Sequence, residues 1–143
     1  MDICAAITIV ESSFGSFSAD EAKEIGDCAI IAIANITGKT WDEVFTVAQP
    51  YFGRYGMNAG GISRTFTELG WSMSYYMPVD DMTVRAAEAY LRVNDPDIRL
   101  CCQINVGRIP HSISFVNGSF DNVQGAYRAK VRSAYKVTPT GGE

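Results

Sequence analysis

Only one histidine, His111, occurs among the 143 residues of this chain. That excludes metal sites built on several histidines, and it obliges any Cys–His chemistry to use this residue. Cysteine is also sparse. Cys4, Cys28, Cys101 and Cys102 contain no C-x-x-C pair of the zinc or redox kind, and the adjacent Cys101 and Cys102 are poorly placed to bridge each other. No apolar run reaches the roughly 18 residues of a membrane span. Positive charge is in deficit: the net charge is −4 and the sequence pI about 4.9. A nucleic-acid backbone as main partner would need a concentrated Lys/Arg surface, and is not expected. Arg128, Lys130, Arg132 and Lys136 form one local basic stretch, read as a solvated face. Residues 1–10 are apolar but lack a basic leading segment and include Asp2, so they do not read as a signal peptide. With no export signal, reduced thiols and a cytoplasmic location are expected.

What is present suffices for a core. Apolar residues make up 47% of the chain and charged residues 20%, which suits one folded domain over 1–143, with 137–143 a frayed tail. Residues 3–10 are rich in β-branched types and read as a strand. A turn of helix over 20–24 should end at Gly26. The segment Cys28 to Thr37 is apolar all round, which places it at the centre of the fold. Asp27 as N-cap and Gly38 as a C-terminal stop favour helix over buried strand. Thr40 with Glu43 three residues on forms a capping box for the next helix, which Pro50 stops. A short helix over 62–69, a strand over 71–77, a helix over 84–93 and a strand over 99–106 follow. Residues 111–116 and 119–124 flank Asn117-Gly118 and read as a β-hairpin. Residues 127–137 read as a last strand. Helices first and strands last imply α+β, with an antiparallel sheet packed on helices.

Several features are better explained by structure than by chemistry. Gly60-Gly61 reads as a helix-start loop rather than an anion site. Asp80-Asp81 has metal-like charge but too few partners, and N-capping explains it. Cys101-Cys102 belongs in a core strand. Trp71, Tyr75 and Tyr76 read as packing residues before they read as a substrate cleft. No cofactor or metal is expected.

Cys28 and His111 are different. A cysteine in the first turn of a helix faces unpaired backbone N–H groups and the positive end of the helix dipole. Both stabilise a thiolate, which is the nucleophilic form, and the same N–H groups can stabilise an oxyanion. His111 follows Pro110 and begins an alternating strand, which aims its ring rigidly. A helix-start cysteine early and a strand-start histidine late make a plausible nucleophile–base pair.

The runs Gly26-Asp27-Cys28-Ala29-Ile30 and Thr37-Gly38-Lys39-Thr40-Trp41-Asp42-Glu43-Val44 resemble the opening of small papain-like cysteine peptidase domains, many of them phage-encoded. The run from Pro110 through His111 to Asp121 resembles their later histidine-led hairpin. The resemblance spans residues 20–137. It implies a papain-like fold with a buried N-terminal helix packed on an antiparallel sheet, and a protein or peptide substrate. It also implies Cys28 as nucleophile, His111 as base and Asp121 as the residue that orients the imidazole. One departure stands out: residues 18–27 contain no Gln or Asn to complete an oxyanion hole.

The hairpin register decides the third residue. A two-residue Asn117-Gly118 turn pairs 116 with 119, puts Asp121 on the face opposite His111, and passes the role to Asn122 or Gln124. A three-residue loop with a glycine bulge puts Asp121 on the His111 face. Three functions follow from the resemblance: a thiol hydrolase of peptide, isopeptide or related amide bonds, an acyl transferase on the same triad, or a catalytically weak or inactive protein that binds a host or phage protein.

Overall fold

The computed structural model describes residues 14–141. The strand expected over 3–10, and Cys4, lie outside them. Helix α1 (Ala19–Ile25) is capped at Ser18, whose hydroxyl accepts from the Glu21 N–H while the Glu21 carboxylate accepts from the Ser18 N–H. Helix α2 (Cys28–Thr37) has the bounds expected of it, and Gly38 ends it in the left-handed conformation, at φ 74°. Helix α3 (Trp41–Ala48) is capped by Thr40, and Pro50 lies in the 3₁₀ turn that ends it. Helix α4 (Ala59–Glu68) begins earlier than expected because Asn58 caps it, so Gly60-Gly61 forms its first turn and not a loop.

Strand β1 (Trp71–Tyr75) comes next, then helix α5 (Val84–Asn94), then strands β2 (Leu100–Val106), β3 (Ile109–Val116), β4 (Ser119–Asp121) and β5 (Ser133–Pro139). Thr83 caps α5, not Asp80 or Asp81: the Asp80 carboxylate accepts from the Tyr75 hydroxyl, and Asp81 turns the chain at φ 64°. The five strands form one antiparallel sheet in the order β1-β5-β2-β3-β4. The last strand is shorter than the expected 127–137 and is displaced towards the C-terminus. Nor is the chain frayed from 137 onward: Val137, Thr138 and Pro139 pair with Met73, Ser72 and Trp71, and Thr140 N–H donates to the Gly70 carbonyl. The edge groups of β1 supply the partners that hold this tail in place.

The class is α+β, with a buried helix packed on an antiparallel sheet. Alternation along the strands makes two cores. Cys101 and Val137 face α2, α3 and α4, where Ile30, Ile33, Ile36, Val44 and Phe66 are buried. Cys102, Ile104, Ile113 and Phe115 face α5 on the other side, against Val84, Ala87 and Leu91. No residue of α2 is exposed. Its C-terminal end is held by Arg99, whose guanidinium donates to the Ile36 carbonyl. Its middle is held by Asn35, whose Nδ2 donates to Ser114 Oγ at 2.8 Å.

Two tests of this packing follow. Ile33 is fully buried, so Ile33→Ala should lower unfolding stability by about 2–5 kcal/mol in urea titrations. Burial also pushes the Cys101 thiol up to about 12, with the nearby Cys28 adding to the shift, and Cys102 rises well above its usual range. An unfolded cysteine ionises near about pH 8.5. The folded state therefore keeps protons that the unfolded state releases, and stability is lost as pH rises from the unfolded value towards the folded one. The urea midpoint should be lower at pH 10.5 than at pH 7.5, and Cys101→Ala should narrow that difference.

Candidate active site

The first turn of α2 is open where a cap was expected. The Asp27 side chain makes no cap hydrogen bond. Instead its carboxylate accepts from Trp41 Nε1 at 2.8 Å, and Lys23 lies over the same indole, 4.5 Å from the ring centre. Trp41 outcompetes the helix N–H groups because α3 packs its first turn beside that end of α2. The backbone N–H groups of Cys28, Ala29 and Ile30 are left without a partner among the described residues.

The sheet edge supplies the other wall. Asn117 and Gly118 both have positive φ, at 55° and 82°, as a two-residue hairpin turn of the I′ kind requires. The ladder is accordingly Val116↔Ser119, Phe115↔Phe120 and Ser114↔Asp121. Gln103 directs its carbonyl to Arg132 N–H on the β5 side, so the Gln103–Ser112 pair exchanges no backbone hydrogen bonds. The N–H of Ser112 therefore points to the outer edge of β3. Strand β4 ends at Asp121, so it provides no partner there. Cys28 Sγ fills the gap and accepts from Ser112 N–H at 3.4 Å.

His111, immediately before, is buried. Its Nε2 lies 2.7 Å from the Asn122 backbone oxygen. A carbonyl can only accept, so Nε2 carries the proton and Nδ1 is the basic nitrogen of the neutral ring. Cys28 and His111 line one cleft of about 400 Å³, together with Asp27, Ser112, Gln103 and Asn122.

The sites expected from sequence thus separate. The structure brings Cys28 and His111 to one cleft. It does not bring Asp121 there: the two-residue turn puts Asp121 opposite Ser114, on the face away from His111, and exposed. The condition for Asp121 as orienter, a glycine bulge, is not met. Asn122 takes the position, through its main chain and not its side chain. Gln124 lines the cleft but makes no hydrogen bond to the ring. Asn122 and Gln124 both adopt positive φ here, and the sequence signal for this turn away from the ladder is the turn-forming content of Asp121-Asn122-Val123-Gln124-Gly125. Ser112 was missed because its contribution is also a main-chain group. Trp71, Tyr75 and Tyr76 do not line the cleft; Trp71 and Tyr76 pack against the two cores, as expected, but Tyr75 is exposed; Tyr55 and Met57 do line it. Cys28, Cys101 and Cys102 are free thiols, and only Cys28 is not buried. Among the described residues no cluster of His, Cys, Asp and Glu is arranged to hold a metal, and no helix is long and apolar enough to cross a membrane.

No family model and no curated protein matches the chain. Among solved structures it is similar to the peptidase domain of Streptococcus ComA, a bi-functional ABC transporter involved in a quorum-sensing pathway. The identity is 15%, the match covers 79% of this chain and 91% of that one, and the TM-score is 0.48.

The role of the Asn122 main chain is testable without any assay of turnover. Imidazole ¹⁵N shifts should report the Nε2-protonated tautomer in the wild type and unchanged in Asp121→Ala. Asn122→Gly keeps access to φ 61° and should keep that tautomer. Asn122→Pro, whose ring fixes φ near about −65°, should lose it.

Proposed function

We propose that this chain is a papain-like thiol hydrolase, cleaving a peptide, isopeptide or related amide bond with Cys28 as nucleophile and His111 as base. The observation that carries the reading is the meeting of Cys28 with the His111 strand: the sulfur sits at an uncapped helix start and accepts from the N–H of the residue after His111. That environment favours negative charge on sulfur by two separate means, the backbone donor and the helix dipole.

In this reading His111 Nδ1 takes the Cys28 proton, and sulfur attacks the substrate carbonyl carbon. The carbonyl electron pair moves to oxygen, where the free N–H groups of the first turn of α2 receive it. Collapse of the adduct breaks the C–N bond, and the imidazolium gives its proton to the leaving amine. Water, deprotonated by His111, then hydrolyses the thioester. The Asn122 carbonyl holds the ring and stabilises its positive charge, a weaker service than a carboxylate gives. A cysteine nucleophile tolerates this because a thiol is more acidic and more nucleophilic than a hydroxyl. The resemblance of the two motifs to those of phage-encoded domains is what supports a protein or peptide substrate in the cytoplasm of a bacterial host. The absence of Gln or Asn over residues 18–27 favours a second reading, an inactive binding protein of the same fold.

Intact-mass labelling with iodoacetamide near neutral pH separates the two. A hydrolase should be alkylated rapidly at Cys28, Cys28→Ser should abolish that adduct, and His111→Ala should slow it at least tenfold. Alkylation at the rate of an ordinary exposed thiol, indifferent to His111, would favour the binding protein.

A further inference from the structure

The segment before the nucleophile offers little to an oxyanion. Ser18 spends its hydroxyl on the α1 cap, and Lys23 lies over the Trp41 ring. Gln103 is placed differently. It sits on β2 directly across from Ser112, and its side chain lines the cleft that holds Cys28. Its Oε1 accepts from Ser112 Oγ at 3.1 Å. Ser112 is the residue whose N–H is on the Cys28 sulfur. One residue therefore ties the carboxamide and the nucleophile together, through its side chain and its main chain respectively. With Oε1 engaged, the amide is oriented, and Nε2 has two N–H donors but no partner among the described residues.

We infer that Gln103 Nε2 is the side-chain oxyanion donor of this site, supplied from a strand of the sheet instead of from the segment before the nucleophile. The inference rests on the thiol-hydrolase reading. Gln103 acts with the free N–H groups of the first turn of α2, so that main-chain and side-chain donors converge on the oxygen. Ser112 is a positioning residue: its hydroxyl keeps the amide nitrogen turned outward. A half-buried carboxamide held by one hydroxyl, with its donors unspent, is otherwise an unexplained polar group beside a nucleophile.

The test uses two reagents on the full chain. Iodoacetamide alkylates sulfur by displacing iodide from a saturated carbon, and forms no oxyanion. 4-Nitrophenyl acetate acetylates sulfur through a tetrahedral oxyanion: the C–S bond forms, the C–O bond breaks, and 4-nitrophenolate leaves. Rates at Cys28 are read by peptide mass for the first and by 4-nitrophenolate release, less the Cys28→Ser background, for the second. Gln103→Ala should lower the ratio of acetylation to alkylation by about 10²-fold, the loss usual for one oxyanion donor. Gln103→Glu, of equal size but without a donor, should lower it at least as far, and guards against a fold made unstable by truncation. Ser112→Ala should lower the ratio by a smaller factor, and Ser112→Thr should restore it. A ratio unchanged in both Gln103 variants overturns the inference while leaving Cys28 and His111 in place. Slow, His111-independent alkylation of the wild type overturns the thiol-hydrolase reading itself, and the inference with it.

Discussion

A backbone N–H at a sheet edge must find an acceptor or face water, and at Ser112 that requirement organises the site. The tight Asn117-Gly118 turn sets the register, and the register leaves the Ser112 N–H pointing outward two residues beyond the last ladder pair, Ser114–Asp121. Cys28 Sγ occupies the place where the next carbonyl of a longer β4 would lie. Helix α2 is thereby tied to β3 by two hydrogen bonds, Cys28 to Ser112 and Asn35 to Ser114. Residues 28 and 35 are two helical turns apart and share a face, while 112 and 114 are one strand period apart and share an edge. Helix and strand can meet in this manner only in one register. A longer β4 would satisfy Ser112 itself and exclude the sulfur.

The two sides of the sheet divide the labour. One is filled by the aliphatic residues of α2, α3 and α4, which fix where the helix start lies. The other is filled by α5 against Ile104, Ile113 and Phe115. His111 belongs by alternation with Ile113 and Phe115, yet it stands near the start of β3, beyond the end of β4, where the chain leaving β4 turns across it at Asn122. The ring is buried without being surrounded by apolar groups on every side: its Nε2 proton has a carbonyl acceptor, and the cleft lies beside it.

Much of this was legible in the sequence. The all-apolar run from Cys28 to Thr37 belongs at the centre of a fold, and Gly38 behind it favours helix over buried strand. Asn-Gly between alternating runs encodes its own turn. The candidate nucleophile and base were identifiable because their chemistry lies in side chains. What escaped reading was decided by competition or by main-chain atoms. Asp27 is a good cap in isolation, but Trp41, fourteen residues on, offers it a better-placed donor. Asp121 is a good orienter in composition, but register is a property of two strands and a turn together. The final strand was misplaced because residues 127–131 spend their backbone groups on the segment 81–85 before α5, with a single bridge at Thr83–Lys130, whereas β1 and β2 give residues 133–139 a ladder.

An imidazole oriented by a carbonyl of the main chain carries a different evolutionary constraint from one oriented by a carboxylate. No single side-chain replacement can delete the acceptor, since every amino acid brings the same C=O. What position 122 must supply is backbone shape, and the residues that fit are those that tolerate a left-handed conformation, such as Asn, Asp and Gly. Members of such a lineage would look like Cys–His dyads when their side chains are aligned. The third partner would be visible only as a narrow preference for small, turn-forming residues one position beyond the end of a short strand.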